Sequence, residues 1–211
     1  CELPVATKPM ECKVLLPCGD FDTIAKSGRA RLLGLVSTER IQAGALTVSE
    51  LVGLGRQPYT GFLGRLSDDD RAIVADAIRS VGMSHKAESF VANLSDGERQ
   101  KVMIARALAQ HTPIIVLDEP TAFLDAASRI ETMQLLAALA HEQGKAILLS
   151  THDISRSLML TDQLWVITRD RQVLTGATPE MVRSQAMNQV FANPSITFNP
   201  THCDYESTPP E

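Results

Sequence analysis

The segment Ile114-Ile115-Val116-Leu117-Asp118-Glu119-Pro120 decides the fold class of this chain of 211 residues. Its apolar, mostly β-branched start predicts a strand buried on both faces, which is typical of parallel sheets. Pro120 stops the strand because proline has no backbone N–H to donate. Ligand sites in open parallel sheets lie at the carboxyl ends of strands, so we expect Asp118 and Glu119 to lie at such an edge.

Helices and further strands alternate with this strand along the chain. Capping residues mark the predicted helix starts at Thr47, Ser67, Ser95 and Asp125, and further helices are expected after Asp153 and from Thr178. Short apolar runs predict further strands at residues 13–16, 31–36, 146–149 and 164–167, although 31–36 also fits a helix end. This alternation predicts an α/β fold with a parallel sheet and helices packed against it, and with residues 146–149 as a second buried strand.

Composition excludes several classes of protein. Twenty Lys+Arg against 25 Asp+Glu give a formal net charge of -5, so we expect no nucleic-acid partner. No apolar run approaches the roughly 20 residues of a membrane helix, and no secretory signal is visible. The four cysteines form no CxxC pair, which favours a reducing compartment over a disulfide framework or a zinc site.

The segment Leu94-Ser95-Asp96-Gly97-Glu98-Arg99-Gln100 predicts a helix start suited to phosphate. Ser95 and Glu98 form a capping box, and Gly97 leaves the backbone N–H groups of the first turn bare. Such groups, together with the helix dipole, bind phosphate. Read alone, the same segment fits an ordinary helix start.

Two further segments follow strands or precede helices near the carboxylates. Ser150-Thr151-His152-Asp153 places a histidine at the strand end next along the chain, at the sheet edge predicted for Asp118 and Glu119. Phe123-Leu124-Asp125 lies just beyond Glu119. Taken singly, His152 fits a structural histidine and Asp125 fits a helix N-cap.

As an ordered set these segments resemble the ABC-type ATPases, over about residues 30–190. Residues 94–100 resemble the LSGGQ signature, 114–120 the Walker B strand, 121–125 the D-loop and 150–153 the switch-histidine loop. The resemblance implies a P-loop NTPase-like domain over residues 1–195, with a helical signature subdomain at about 47–110. Proline and few apolar residues predict a disordered tail at 196–211.

The resemblance also implies ATP and Mg²⁺ as cofactors and a role for each site residue. Asp118 would support Mg²⁺, Glu119 would be the general base that polarises water, and His152 would contact the γ-phosphate. In this family two domains sandwich two ATP molecules, so a second ATPase subunit, in a homodimer, is the expected partner. The residues that would face ATP held by that partner, or bridge to it, are Ser95, Gly97, Glu98 and Asp125.

Residues 45–58 resemble the importer ATPases for iron-siderophore, haem and cobalamin, although a helix followed by a Gly/Pro loop also explains them. The implied function is ATP hydrolysis that drives uptake of an iron-siderophore or related metal chelate through a membrane permease. The subunit would then be peripheral, on the cytoplasmic side of the membrane. The alternatives are a non-catalytic ABC-like interaction module and a soluble ABC ATPase outside transport.

The sequence departs from the family pattern in its phosphate-binding loop. GxxxxGK followed by Ser or Thr occurs nowhere, and the only Gly-Lys pair is Gly144-Lys145, in a predicted helix-to-strand turn. Because that loop grips the β- and γ-phosphates, the chain alone is expected to be inactive. The start at Cys1 favours truncation upstream and an incomplete N-terminal β part. A lost strand would expose a sheet edge, so we also expect marginal stability.

Two smaller departures affect the site. No glutamine follows the strand at 31–36 directly, so Glu39 or Gln42 is expected to serve as the Q-loop contact to Mg²⁺. Asp96 stands where the signature has glycine, and its side chain either repels a γ-phosphate or faces solvent.

Overall fold

A computed structural model describes residues 15–16, 19–20, 23–37, 45–61, 64–168, 172–190 and 196–207. The strands in these residues are β1 Leu15–Leu16, β2 Gly19–Asp20, β3 Leu33–Val36, β4 Ile114–Asp118, β5 Ala146–Ser150, β6 Gln163–Ile167, β7 Val173–Ala177, β8 Ile196–Asn199 and β9 Asp204–Ser207. The helices are α1 Lys26–Leu32, α2 Val48–Gly53, α3 Asp68–Ser80, α4 Asp96–Ala109, α5 Ala126–Gln143, α6 Ile154–Leu160 and α7 Thr178–Arg183.

The predicted α/β fold with a parallel sheet is confirmed, with strand order β3-β4-β5. Burial alternates along β4: Ile115 and Leu117 are fully buried, whereas Ile114 and Val116 are half-buried. The prediction that β5 is buried is wrong, because its residues alternate between exposed and half-buried. Among the described strands, β5 is at one end of this sheet, and a groove of about 680 Å³ beside it is lined by β5, β6, α5 and α6.

The predicted helix starts at Thr47, Ser67 and Asp125 are confirmed by their hydrogen bonds. Thr47 and Ser67 each accept a backbone N–H three residues on and form full capping boxes. The Asp125 carboxylate accepts the N–H groups of Ala127 and Ser128 at the start of α5. That helix ends at Gly144, whose φ of 61° is the left-handed conformation that glycine adopts without strain.

The chain divides into two compact units. The first comprises residues 1–36, 42–94 and 101–116, so it holds α2, α3 and most of α4. Its interior includes a buried ion pair in which Arg56 Nε donates to Asp70 Oδ1 over 2.8 Å. The same guanidinium donates to the carbonyl of Ala109 over 3.0 Å and lies 4.0 Å from the ring centroid of Tyr59. This pair therefore ties α3 to the end of α4.

The second unit comprises residues 37–41, 95–100 and 117–211. Its strand β6 pairs with β7 in antiparallel register, from Gln163 opposite Ala177 to Ile167 opposite Val173. The expectation that β6 continues an alternating parallel pattern is therefore wrong, and β7 was not predicted. The connection is short, closed by the Thr168 N–H donating to the Gln172 carbonyl over 2.9 Å, and a short connection can join only antiparallel neighbours.

The predicted disordered tail is wrong for residues 196–207, which form the antiparallel hairpin β8–β9. Phe198 is 5% exposed and packs in a cluster with Leu158 and Met187. The ring of Tyr205 meets that of Phe198 edge-on at 5.2 Å, and its hydroxyl donates to the Met187 carbonyl over 2.7 Å. Two aromatic residues thus give this polar segment enough buried surface to be ordered.

Within the described residues no helix is long and apolar enough to cross a membrane. Cys203 is a free thiol, while Cys1, Cys12 and Cys18 lie outside the described residues.

Candidate functional site

Four polar side chains meet where β4 and β5 end, and we call Asp118, Glu119, Ser150 and His152 the carboxylate cluster. Ser150 Oγ donates to Asp118 Oδ1 over 2.7 Å and accepts the Glu119 N–H over 2.9 Å. His152 Nδ1 lies 2.6 Å from Glu119 Oε2. The geometry places both carboxylates and the histidine at one sheet edge, as the sequence predicted.

The cluster is accessible from solvent. Asp118 is exposed, the Glu119 side chain is 33% exposed and the His152 side chain is 73% exposed. The donor of the short contact between His152 Nδ1 and Glu119 Oε2 depends on the histidine tautomer. A solvent-accessible carboxylate in contact with a histidine is an arrangement suited to general-base chemistry.

The Glu119 backbone adopts a φ of 46°, in the left-handed region that non-glycine residues rarely enter. Pro120 follows Glu119 and is buried. Strained backbone of this kind persists only where surrounding contacts hold it, and it concentrates at functional sites.

A second group, which we call the helix-start cluster, joins the N-termini of α4 and α5 and consists of Ser95, Gly97, Glu98, Asp125 and Ser128. Ser95 N–H donates to Glu98 Oε2 over 3.0 Å, and Glu98 N–H donates to Ser95 Oγ over 3.3 Å, which confirms the predicted capping box. Ser128 Oγ donates to Asp125 Oδ2 over 2.8 Å.

Gly97 lets the two helices approach closely. A Cβ at this position would lie 2.7 Å from Ser128 Oγ and 3.1 Å from Ser128 Cβ, so a larger residue would displace Ser128. The Ser128 N–H and hydroxyl donate to Asp125 and hold the pKa of that carboxyl below its usual range. Asp125 is therefore ionised and committed to capping α5.

Asp96 pairs with a basic residue three positions further along α4. Its Oδ1 accepts from Arg99 Nη1 over 2.9 Å, an i,i+3 pair on the surface of α4, and half of its side chain is exposed. The exposure of Asp96 and its pairing with Arg99 leave both alternatives for its side chain open.

The structure thus gathers the predicted site residues that it describes into two groups. Glu39 and Gln42 lie outside the described residues. The sequence patterns predicted no role for Ser150 or Ser128. The signal for Ser150 was its place at the end of β5, two residues before His152, and the signal for Ser128 was its place three residues after the Asp125 cap.

Asp118 suits Mg²⁺ only when phosphate groups supply further oxygen ligands. Asp118 offers an exposed oxygen ligand, and Mg²⁺ takes oxygen ligands, one or two of them carboxylates, while substrate phosphates supply others. No group of three or more His, Cys, Asp or Glu suited to a metal occurs in the part of the chain that the structure describes.

The chain is similar in sequence to known proteins. Residues 10–122 match the family model described as ABC transporter. An uncharacterized ABC transporter ATP-binding protein of Methanocaldococcus jannaschii is 36% identical over 184 residues, 87% of this chain and 63% of its own length. The iron(3+)-hydroxamate import ATP-binding protein FhuC of Bacillus subtilis is 40% identical over 146 residues, 69% of this chain and 54% of its own length.

Two further comparisons agree. The achromobactin transport ATP-binding protein CbrD of Dickeya dadantii is 35% identical over 184 residues, 87% of this chain and 68% of its own length. A dimeric ATP-binding cassette in a post-hydrolysis state with ADP and Pi matches with a TM-score of 0.66 and 28% identity, over 82% of this chain and 75% of that one. The chain belongs to the ABC transporter ATP-binding family. It spans 63% and 54% of the first two relatives named above.

Proposed function

We propose that the protein is the ATP-binding and ATP-hydrolysing subunit of an ABC importer that drives uptake of an iron-siderophore or related metal chelate through a membrane permease. The single observation that carries the ATPase part is the 2.6 Å contact of His152 Nδ1 with Glu119 Oε2 beside Asp118. The metal-chelate part is supported by relatives named for hydroxamate and achromobactin transport.

Asp118, Glu119 and His152 have distinct tasks in this proposal. Mg²⁺, when bound, neutralises phosphate charge, and Asp118 would hold it. Glu119 accepts a proton from the attacking water, and its short contact with His152 keeps its carboxylate in one orientation. Most of the catalytic effect in phosphoryl transfer comes from positioning and electrostatics, which suits a cluster cross-linked by hydrogen bonds.

The helix-start cluster would serve the ATP held by a second copy of the subunit. Ser95 and Gly97 begin α4, whose first backbone N–H groups suit phosphate, and Asp125 lies beside them at the start of α5. We propose a homodimer with two shared ATP sites. The subunit would be peripheral, held on the cytoplasmic side of the membrane by the permease.

ATP turnover tests the proposal, measured on the product of the complete reading frame that contains these 211 residues. We expect hydrolysis in the wild type and a loss of about 10²-fold or more in kcat for Glu119→Gln, which cannot accept a proton. Glu142→Gln is the matched control, since Glu142 is exposed near the far end of α5. Equal turnover in Glu119→Gln and Glu142→Gln would refute the role of Glu119.

A non-catalytic interaction module is the second candidate, favoured by the absence of GxxxxGK with Ser or Thr from the 211 residues. The same measurement separates the two functions. A complete reading frame whose product neither binds nor hydrolyses ATP supports the module. Co-purification with a permease then distinguishes an importer subunit from an ABC ATPase outside transport.

A further inference from the structure

The Glu119 backbone has a rare conformation, and the local chain holds it at the carbonyl, which accepts the Ala122 N–H over 3.1 Å. Its φ of 46° is rare for a residue with a side chain. The proline that follows further restricts it, since the residue before a proline prefers extended backbone. Local sequence therefore favours another conformation, in which the carboxylate would leave its place beside His152.

The Ser150 side chain, at the end of the neighbouring strand β5, binds the backbone N–H of Glu119. Its hydroxyl accepts the Glu119 N–H over 2.9 Å while donating to Asp118 Oδ1 over 2.7 Å. A hydroxyl has one hydrogen to donate, so the bond to Asp118 fixes its direction and turns a lone pair toward Glu119. Bonds of a hydroxyl to an ionised group are shorter and stronger than neutral ones.

His152 holds the other end of the same residue. The end of β5 therefore fixes Glu119 twice, at its backbone through Ser150 and at its carboxylate through His152. Ser150 is exposed, so its hydroxyl contributes little to the packed core. Its role can therefore be separated from folding.

We propose that Ser150 is a positioning residue for ATP hydrolysis: its hydroxyl links Asp118 to the Glu119 peptide and so sets the Glu119 carboxylate relative to the Mg²⁺ ligand. The proposal rests on the proposed function for its catalytic consequence. Its structural part, that Ser150 holds the Glu119 peptide, stands on the two hydrogen bonds alone.

The test compares Ser150→Thr, which keeps the hydroxyl, with Ser150→Val, because valine has nearly the shape of threonine but no hydroxyl. Threonine and valine are both β-branched and suit the end of a strand. Ser150→Ala repeats the loss with a smaller side chain in case valine disturbs folding. Ser155→Ala is the control, because the Ser155 hydroxyl also donates to an aspartate, Asp204, over 2.8 Å, away from the cluster.

The first measurement is solvent exchange of the Glu119 amide by NMR, on the 211-residue chain and without nucleotide. We expect exchange about tenfold or more faster in Ser150→Val and Ser150→Ala, and near wild type in Ser150→Thr and Ser155→Ala. Unchanged exchange in both hydroxyl-free variants overturns the proposal, whether or not the protein hydrolyses ATP.

The second measurement is steady-state ATPase on the product of the complete reading frame. We expect kcat about 10- to 100-fold lower in Ser150→Val with KM within about twofold, and recovery in Ser150→Thr. Equal kcat in the Thr and Val variants overturns the catalytic part. A wild type without turnover contradicts the proposed function instead, and the amide exchange still decides what Ser150 holds.

Discussion

Gly97 offers the sharpest test of the helix-start cluster, because two opposing effects can be weighed against each other there. Replacing glycine by alanine within a helix stabilises by about 1 kcal/mol through propensity. At Gly97 the new methyl would lie 2.7 Å from Ser128 Oγ and 3.1 Å from Ser128 Cβ. Overpacking of this kind costs about 1–3 kcal/mol. We therefore expect Gly97→Ala to destabilise by about 1 kcal/mol net.

Removing the Ser128 side chain should reverse the sign of the stability change caused by Gly97→Ala. In a Ser128→Gly background both nearby atoms are gone, so Gly97→Ala should stabilise by up to about 1 kcal/mol. The double-mutant cycle then gives a coupling energy of about 2 kcal/mol. Urea unfolding followed by far-UV circular dichroism measures all four proteins.

Gly61→Ala is the control for adding a methyl, since a Cβ there meets nothing within 4 Å. We expect it to change stability by less than about 0.5 kcal/mol. Stabilisation by Gly97→Ala in the wild-type background, or a coupling energy under about 0.5 kcal/mol, would refute the close approach of α4 and α5.

Two further predictions concern the two units separately. The hydroxyl of Ser67, and then the guanidinium of Arg56, lower the pKa of Asp70 from 3.8 to about 2, so its contribution to stability is complete above about pH 4 and is lost as the pH falls toward 2. Asp70→Asn should weaken the pH dependence of the urea midpoint across that range. An unchanged pH dependence would contradict the role of Asp70. Thr132 is fully buried, and its hydroxyl has no hydrogen-bond partner among the described residues. Thr132→Val should therefore raise the free energy of unfolding by about 1 kcal/mol, and a lower unfolding midpoint would count against it.

The helix starts were predictable because their causes are local. Ser95 and Glu98 satisfy each other across one turn, and Asp125 caps the N–H groups two and three residues on. Such bonds depend on the spacing of a few neighbouring residues, so the sequence pattern predicts them.

The hairpins were not predictable in the same way. The pairing of β6 with β7 and the formation of the β8–β9 hairpin depend on contacts between segments. A local sequence pattern does not indicate which segments pair. Residues 196–207 are polar on average, yet Phe198 is buried against Leu158 and Met187 from earlier in the chain. A disorder prediction from composition fails wherever a few distant apolar contacts suffice to order a segment.

For the site, the sequence by itself determined that Asp118 and Glu119 end one strand and that His152 follows the end of another. Parallel strands end at the same edge, so their proximity followed from the fold class. Only the tertiary structure decided how they touch: the left-handed backbone of Glu119, the Ser150 hydroxyl between both acidic residues, and the packing of Gly97 on Ser128. The physical reason is that these contacts join residues about 30 positions apart in the sequence. Their distances therefore depend on how the strands and helices pack.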